Sequence, residues 1–178
     1  MKEWEISSNK FIRIKTKVIS GRGKAKNSLK DDIFELKNKY NRKYQLGSLN
    51  LVAQKPYFLL ASQTSYISQN QKRFFWKARL NNLDVLLYKH KNFPAHIFEI
   101  LSEFYLRDYL SLNDGQYIII ELKNHLVTNI SPLSKQRIAW YLLWKFREYY
   151  FYKNDNYINF VTNRKFIKKL NQLSKGII

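Results

Sequence analysis

The 178-residue chain is 45% apolar and 16% aromatic, enough buried-type surface for one packed core, which excludes a disordered chain and leaves little room for a second large domain. Cysteine is absent, so disulfides, thiolate catalysis and cysteine zinc sites are excluded. Lys and Arg number 32 against 13 Asp and Glu, and the resulting charge of +19 attracts polyanions: nucleotides, nucleic acid or an anionic membrane surface.

The opening MKEWEISSNK lacks the apolar stretch of a signal peptide, and a cytoplasmic location is expected. KFIRIKTKVIS, 10–20, alternates apolar and basic residues up to Gly21 and predicts a strand. SLKDDIFELKNKY, 28–40, places Leu29, Ile33, Leu36 and Tyr40 at helical spacing, with Ser28 as the expected cap and acidic residues in the first turn. A strand GSLNLVA, 47–53, and an extended run PYFLLAS, 56–62, follow, then a polar loop over 63–72. RFFWKARLNNLDVLLYKH, 73–90, predicts a hairpin turning at Asn81 and Asn82. Beyond it come the strand IFEIL, a helical turn LRDYLSL, the bend NDG and a last strand QYIIIEL, ending at 122. Many short strands with two short helices point to a small barrel.

A helix is then expected to begin at Ser131 and Pro132, with Ile138, Leu142, Phe146 and Tyr149 as its stripe. Its apolar run IAWYLLW, 138–144, is far short of the roughly 20 residues that span a bilayer. SKQRIAWYLLWKFREYYFYK, 134–153, is rich enough in aromatics to cover a core or form a dimer; the alternative for a basic aromatic helix is peripheral contact with an anionic membrane surface.

Two short stretches carry chemistry. In SGRGKAK, 20–26, two glycines let backbone N–H groups converge on an anion while Arg22, Lys24 and Lys26 supply charge; the plain reading is a turn. It is neither a Walker loop nor a dinucleotide fingerprint. In GSLNL, Ser48 and Asn50 lie two apart on a strand and so emerge on one side. Two neutral oxygen donors suit a magnesium ion (Mg2+), which keeps several waters beside one or two protein ligands; the plain reading is a turn-capping serine and a strand-edge asparagine. His90, His96 and His125 have no ligand-like spacing and read as surface residues.

Taken in order, GRGKAK, GSLNL and FEILSEFYLRDYLSLNDGQYIIIEL resemble the archaeal-type CTP-dependent riboflavin kinases, over roughly residues 10–122. The resemblance implies a mainly β fold, a small cradle-loop β-barrel with short helices over 1–128; the stretch 129–178 falls outside it and is expected from its own residues to be a basic, aromatic, α-helical C-terminal extension. It implies transfer of the γ-phosphate of CTP to a hydroxyl of riboflavin, giving FMN and CDP, or to a related small-molecule alcohol. By position it implies that Gly21, Arg22, Gly23, Lys24, Ala25 and Lys26 bind the nucleotide phosphates. Ser48, where the family usually has Thr, would share Mg2+ with Asn50. Phe104, Tyr105, Leu106 and Arg107 would contact the cytidine nucleotide, and Glu99 the acceptor, either taking a proton from its hydroxyl or orienting it. Lys91 stands where members commonly carry a substrate-side Thr, and Asn92 and Phe93 replace the usual His-Tyr pair. Ala25 replaces a third loop glycine, and Ser102 and Glu103 replace the usual Ala-Pro. The rival expectation, from the charge and the aromatics, is a basic nucleic-acid-binding or partner-binding barrel without kinase activity.

Overall fold

A computed structural model describes residues 11–21, 23, 25–91, 93–128, 134–145 and 152. Its strands are β1 (Phe11–Ile19), β2 (Leu49–Ala53), β3 (Phe58–Leu59), β4 (Tyr66–Ile67), β5 (Arg73–Leu80), β6 (Leu83–His90), β7 (Ile97–Leu101), β8 (Tyr117–Lys123) and β9 (Val127–Thr128). Its helices are α1 (Ala25–Ser28), α2 (Lys30–Tyr40), α3 (Leu106–Tyr109) and α4 (Lys135–Trp144).

The architecture is mainly β. Six strands close into an antiparallel barrel in the order β5, β6, β7, β2, β1, β8, with β8 returning to β5 at Arg79 and Leu80. The β5–β6 hairpin turns at Asn81 and Asn82, which both take positive φ, as expected of a two-residue turn matched to strand twist. Strand β4 pairs with the opposite end of β5, and β3 with β9 forms a separate ribbon.

Side-chain alternation fills the interior with Ile14, Val18, Leu51, Trp76, Leu80, Leu87, Phe98 and Ile120. Thr16 is the polar member of the β1 series, and its Oγ1 donates to the Ile118 carbonyl at 3.0 Å. Lys89 follows Val85 and Leu87 on the same side of β6, is buried, and lays its Nζ 4.8 Å from the centre of the Phe98 ring.

Helices cover part of the barrel's outside and create two further cores. Leu36 of α2, with Leu29 before it, packs on Phe75, Leu86, Tyr88 and Leu101. Trp140, Leu143 and Trp144 of α4 pack on Ile19, Val52 and Ile97. Each such large apolar side chain contributes about 1.5–3 kcal/mol when removed from water. Strand β7 lies beneath both covers and above the interior, so all five of its residues are buried.

Several expectations need correction. Ser28 does not cap α2; it ends α1, and Leu29 occupies the cap position without a side-chain bond. His96 is not a surface residue. It is fully buried, and its Nδ1 accepts the Trp140 indole N–H at 2.7 Å, because α4 lies over this part of the barrel. PYFLLAS supplies only the two-residue β3, and the expected loop over 63–72 contains β4. Ser131 and Pro132 lie outside the described residues; α4 is capped by Ser134, whose Oγ accepts the Arg137 backbone N–H at 3.3 Å. Phe146 and Tyr149 of the expected stripe also lie outside them. Among the described residues no helix is long and apolar enough to cross a membrane.

Candidate functional site

Between the two helical covers the outer barrel surface is polar. Asn50 on β2, Glu99 on β7 and Tyr88 on β6 are direct cross-strand neighbours, since Asn50 pairs with Glu99 and Glu99 with Tyr88. Directly opposed residues place their Cβ atoms about 4.5–5.5 Å apart, so the three side chains stand in one row. Ser48 joins them from the start of β2.

Glu99 is 6% exposed. A carboxylate that deep needs hydrogen bonds to replace water. Its Oε2 accepts from Ser48 Oγ at 2.9 Å and from the Tyr88 hydroxyl, and its Oε1 accepts from the Tyr152 hydroxyl at 3.4 Å. Burial, and then the charge of Glu99, push the Tyr88 hydroxyl well above the usual phenol range, so it stays a donor throughout physiological pH.

Two glycines shape the approaches. Gly47 has φ of 133°, a backbone region open to glycine, and from it the chain turns into β2. Gly21 leaves room for a side chain instead: a Cβ there would lie 2.1 Å from Asn50 Nδ2. The Asn50 amide nitrogen therefore faces the end of β1, and its Oδ1 stands 3.5 Å from Ser48 Oγ.

A cavity of about 410 Å3 opens over this row. Gly23, Ala25, Lys26 and Ser28 form one side, and Gly47, Ser48, Asn50 and Glu99 lie beneath it. Arg73, Tyr88, His90, Phe93 and Tyr152 complete the lining. Arg73 is held by Asp32 of α2 at 2.8 Å in a largely buried pair. Burial, with Arg73, Lys91 and Lys72 nearby, keeps the His90 imidazole below its usual range and neutral at pH 7.

A second cavity, of about 230 Å3, lies on the other side of Gly47 and Ser48, which line both. Its lining includes Gln45 and Leu46 and runs through Phe104, Tyr105, Leu106, Arg107 and Asp108. Gln45 anchors this wall: its backbone N–H donates to the Ser102 carbonyl at 2.8 Å and its side chain to the Glu103 carbonyl at 3.0 Å. The Phe104 and Tyr109 rings stack with centres 4.5 Å apart.

Asp114 ties the walls together, accepting the Ser20 backbone N–H at 3.0 Å and the Arg107 guanidinium at 2.7 Å. Partial burial pushes its carboxyl up, but the bonds from Ser20 and Arg107 outweigh this and hold it below the usual range. The glycine loop after β1 and the helical turn α3 are thus joined through one side chain.

Of the residues expected from the sequence, Gly23, Ala25, Lys26, Ser48, Asn50 and Glu99 line the first cavity, and Phe104 to Arg107 line the second. Gly21 backs Asn50. Arg22 and Lys24 lie outside the described residues. Lys91 is exposed and is not part of either lining; His90 and Phe93, on either side of it in the chain, are. Arg73, Tyr88 and Tyr152 were not expected at the site.

Among the described residues no three His, Cys, Asp or Glu side chains gather as a metal-binding group. Ser48 Oγ, Asn50 Oδ1 and the Glu99 carboxylate beside them are hard oxygen donors, the chemistry that Mg2+ selects when substrate phosphates and water complete its shell. No family model matches the chain, and no curated protein matches it.

Proposed function

We propose that this chain is a cytoplasmic CTP-dependent kinase built on a cradle-loop barrel. It transfers the γ-phosphate of CTP to a hydroxyl of riboflavin, giving FMN, or of a related small-molecule alcohol. The observation that carries this reading is the meeting of two cavities at Gly47 and Ser48, beside Asn50 and Glu99. A nucleotide laid across that junction has its base in the smaller cavity and its phosphates in the larger one, toward Lys26.

Phosphoryl transfer asks little covalent chemistry of a protein; positioning and charge neutralisation supply most of the rate. The acceptor oxygen bonds to the γ-phosphorus as the bond to the β–γ bridging oxygen breaks, and CDP leaves. Glu99 accepts a hydrogen bond from the attacking hydroxyl and orients it, and the proton passes to this carboxylate or to solvent. Ser48 and Tyr88 fix the carboxylate in place. Arg73, steadied by Asp32, and Lys26 set positive charge on the cavity walls, where the transferring group gathers negative charge. Ser48 Oγ and Asn50 Oδ1 are the atoms suited to hold Mg2+, which when bound would neutralise phosphate charge. Backbone groups around Phe104–Arg107 would read the cytosine edge, with Phe104 or Tyr105 as a stacking face.

The test compares CTP and ATP as donors at equal magnesium, with riboflavin and with a panel of other alcohols. Each base-edge group left unpaired costs about 1–3 kcal/mol, so CTP should lead by tenfold or more. Equal use of ATP would overturn the cytidine assignment. Turnover of another alcohol in place of riboflavin would reassign the acceptor to a pocket that carries His90 and Phe93. Asn50→Ala should lower turnover severely, to a residual rate, while Ser48→Thr should be tolerated because it keeps the hydroxyl.

A further inference from the structure

Short of Ile19, which α4 covers, the outer face of β1 with β8 is basic. Ile14, Thr16 and Val18 point inward, so Arg13, Lys15 and Lys17 point outward along β1. Across the pairing, Lys17 meets Tyr117 and Phe11 meets Lys123. Tyr117 is 49% exposed, and its ring is flanked by Lys15 Nζ at 4.3 Å and Lys17 Nζ at 5.1 Å from its centre. Gln54 Nε2 donates to its hydroxyl at 3.5 Å, steadying the ring without covering its faces. At the far end Phe11 is 41% exposed, with the Arg79 guanidinium 5.2 Å from its ring centre. Two acids on this face are ion-paired, Glu121 with Arg13 at 3.3 Å and Asp84 with Arg79 at 3.5 Å.

We propose that this face binds single-stranded nucleic acid, with a base stacked on Tyr117 and the phosphate backbone running along the cations of β1. Alternate residues on a strand repeat about every 6.7 Å, a pitch close to the phosphate-to-phosphate reach of an extended single strand. The cation over the tyrosine face is a weak contact at an exposed site, so an arriving base displaces it and releases the ammonium toward the adjoining phosphate. A duplex keeps its base faces in its own stack and would leave Tyr117 unused. The row of charge and the exposed aromatic thus favour an extended strand over a double helix or a lipid surface. Neither Tyr117 nor the lysines line the two cavities, and the inference does not rest on the kinase reading.

Fluorescence anisotropy of a labelled oligothymidylate tests it, against a duplex of the same length and against phosphatidylserine-containing vesicles. Tyr117→Ala should weaken binding about tenfold, and Tyr117→Phe, which keeps the ring, should bind as the parent does. The double variant Lys15→Gln, Lys17→Gln should reduce the slope of log affinity on log salt by about 1.4, as expected for two lost single-strand phosphate contacts. Absence of oligothymidylate binding would overturn the proposal. So would an affinity unchanged by Tyr117→Ala, or tighter binding to the duplex or to the vesicles.

Discussion

Gly21→Ala separates the demands of folding from those of the site. The added Cβ would lie 2.1 Å from Asn50 Nδ2 and 2.8 Å from Asn50 Cγ, whereas ordinary contact begins at 3.4 Å, so the amide must retreat by about 1.3 Å. The obstacle is the end of a side chain, and Asn50 can rotate away at a cost of about 1 kcal/mol. For a chain of this size that lowers Tm by about 2–4 °C. The consequence for chemistry is larger, because a misplacement of about 1 Å can cost 100-fold in rate. The expected variant is folded, melts within a few degrees of the parent, and turns over CTP with magnesium about 100-fold more slowly. The double variant Gly21→Ala, Asn50→Ala should be no slower than Asn50→Ala alone, because both substitutions act through one amide. Thermal melts and initial rates read both quantities. Full activity in Gly21→Ala, or losses that add in the double variant, would refute the assignment of Asn50.

Lys89 gives a pH dependence. Burial lowers its ammonium from the ordinary 10.5 to about 7, so between those values the unfolded chain binds the extra proton and stability rises with pH. Lys89→Met removes that rise: it should be the more stable protein at pH 7, with an advantage that shrinks by about 2 kcal/mol by pH 9 in urea titrations. Parallel curves would show that the charge is not buried. Asp32→Asn strips the partner from Arg73, whose side chain is 17% exposed, and should cost about 3–5 kcal/mol in the same assay, with recovery in the double variant Asp32→Asn, Arg73→Met. Trp140→Phe removes the donor to buried His96 and should cost at least about 1–3 kcal/mol, read as a lower Tm; no loss would mean that water reaches His96.

The barrel strands were legible where local chemistry was complete. The hairpin over 73–90 announced itself through a turn of two residues that tolerate positive φ, between two runs of strand formers. Ser48 and Asn50 were legible as a pair from their two-residue spacing; Ser48 precedes β2, yet its Oγ stands 3.5 Å from Asn50 Oδ1. Arg73, Tyr88 and Tyr152 were not legible, because what brings them to the cavity is long-range: the β6–β7 register for Tyr88, the ion pair with Asp32 of α2 for Arg73, and for Tyr152 a bond to Glu99 from 53 positions away. The two-residue spacing of Tyr88 and His90, polar groups inside an apolar strand, was the available signal. His96 misled for a related reason: a histidine becomes a core residue when a distant helix brings it an indole donor. Ser28 lost its expected role because α1 precedes α2 and ends at Ser28. Continuous burial in IFEIL hid which side of β7 faces the site, since a strand covered on both faces loses its alternation.

The pairing of β1 with β8 has a consequence for the chain during its synthesis. Thr16 donates to the carbonyl of a residue 102 positions later, so one edge of β1 waits while most of the barrel is still being made. At translation speeds of roughly 5–20 residues per second that wait lasts about 5–20 seconds. An apolar strand left unpaired for so long is a template for pairing with a neighbouring nascent chain. Arg13, Lys15 and Lys17 interrupt the apolar run of β1 at every second position, and their mutual repulsion between copies discourages that encounter. The same cations that give the finished barrel its basic face thus act earlier as gatekeepers, and replacing them with neutral residues should lower the soluble yield at elevated expression temperature before it alters the folded protein.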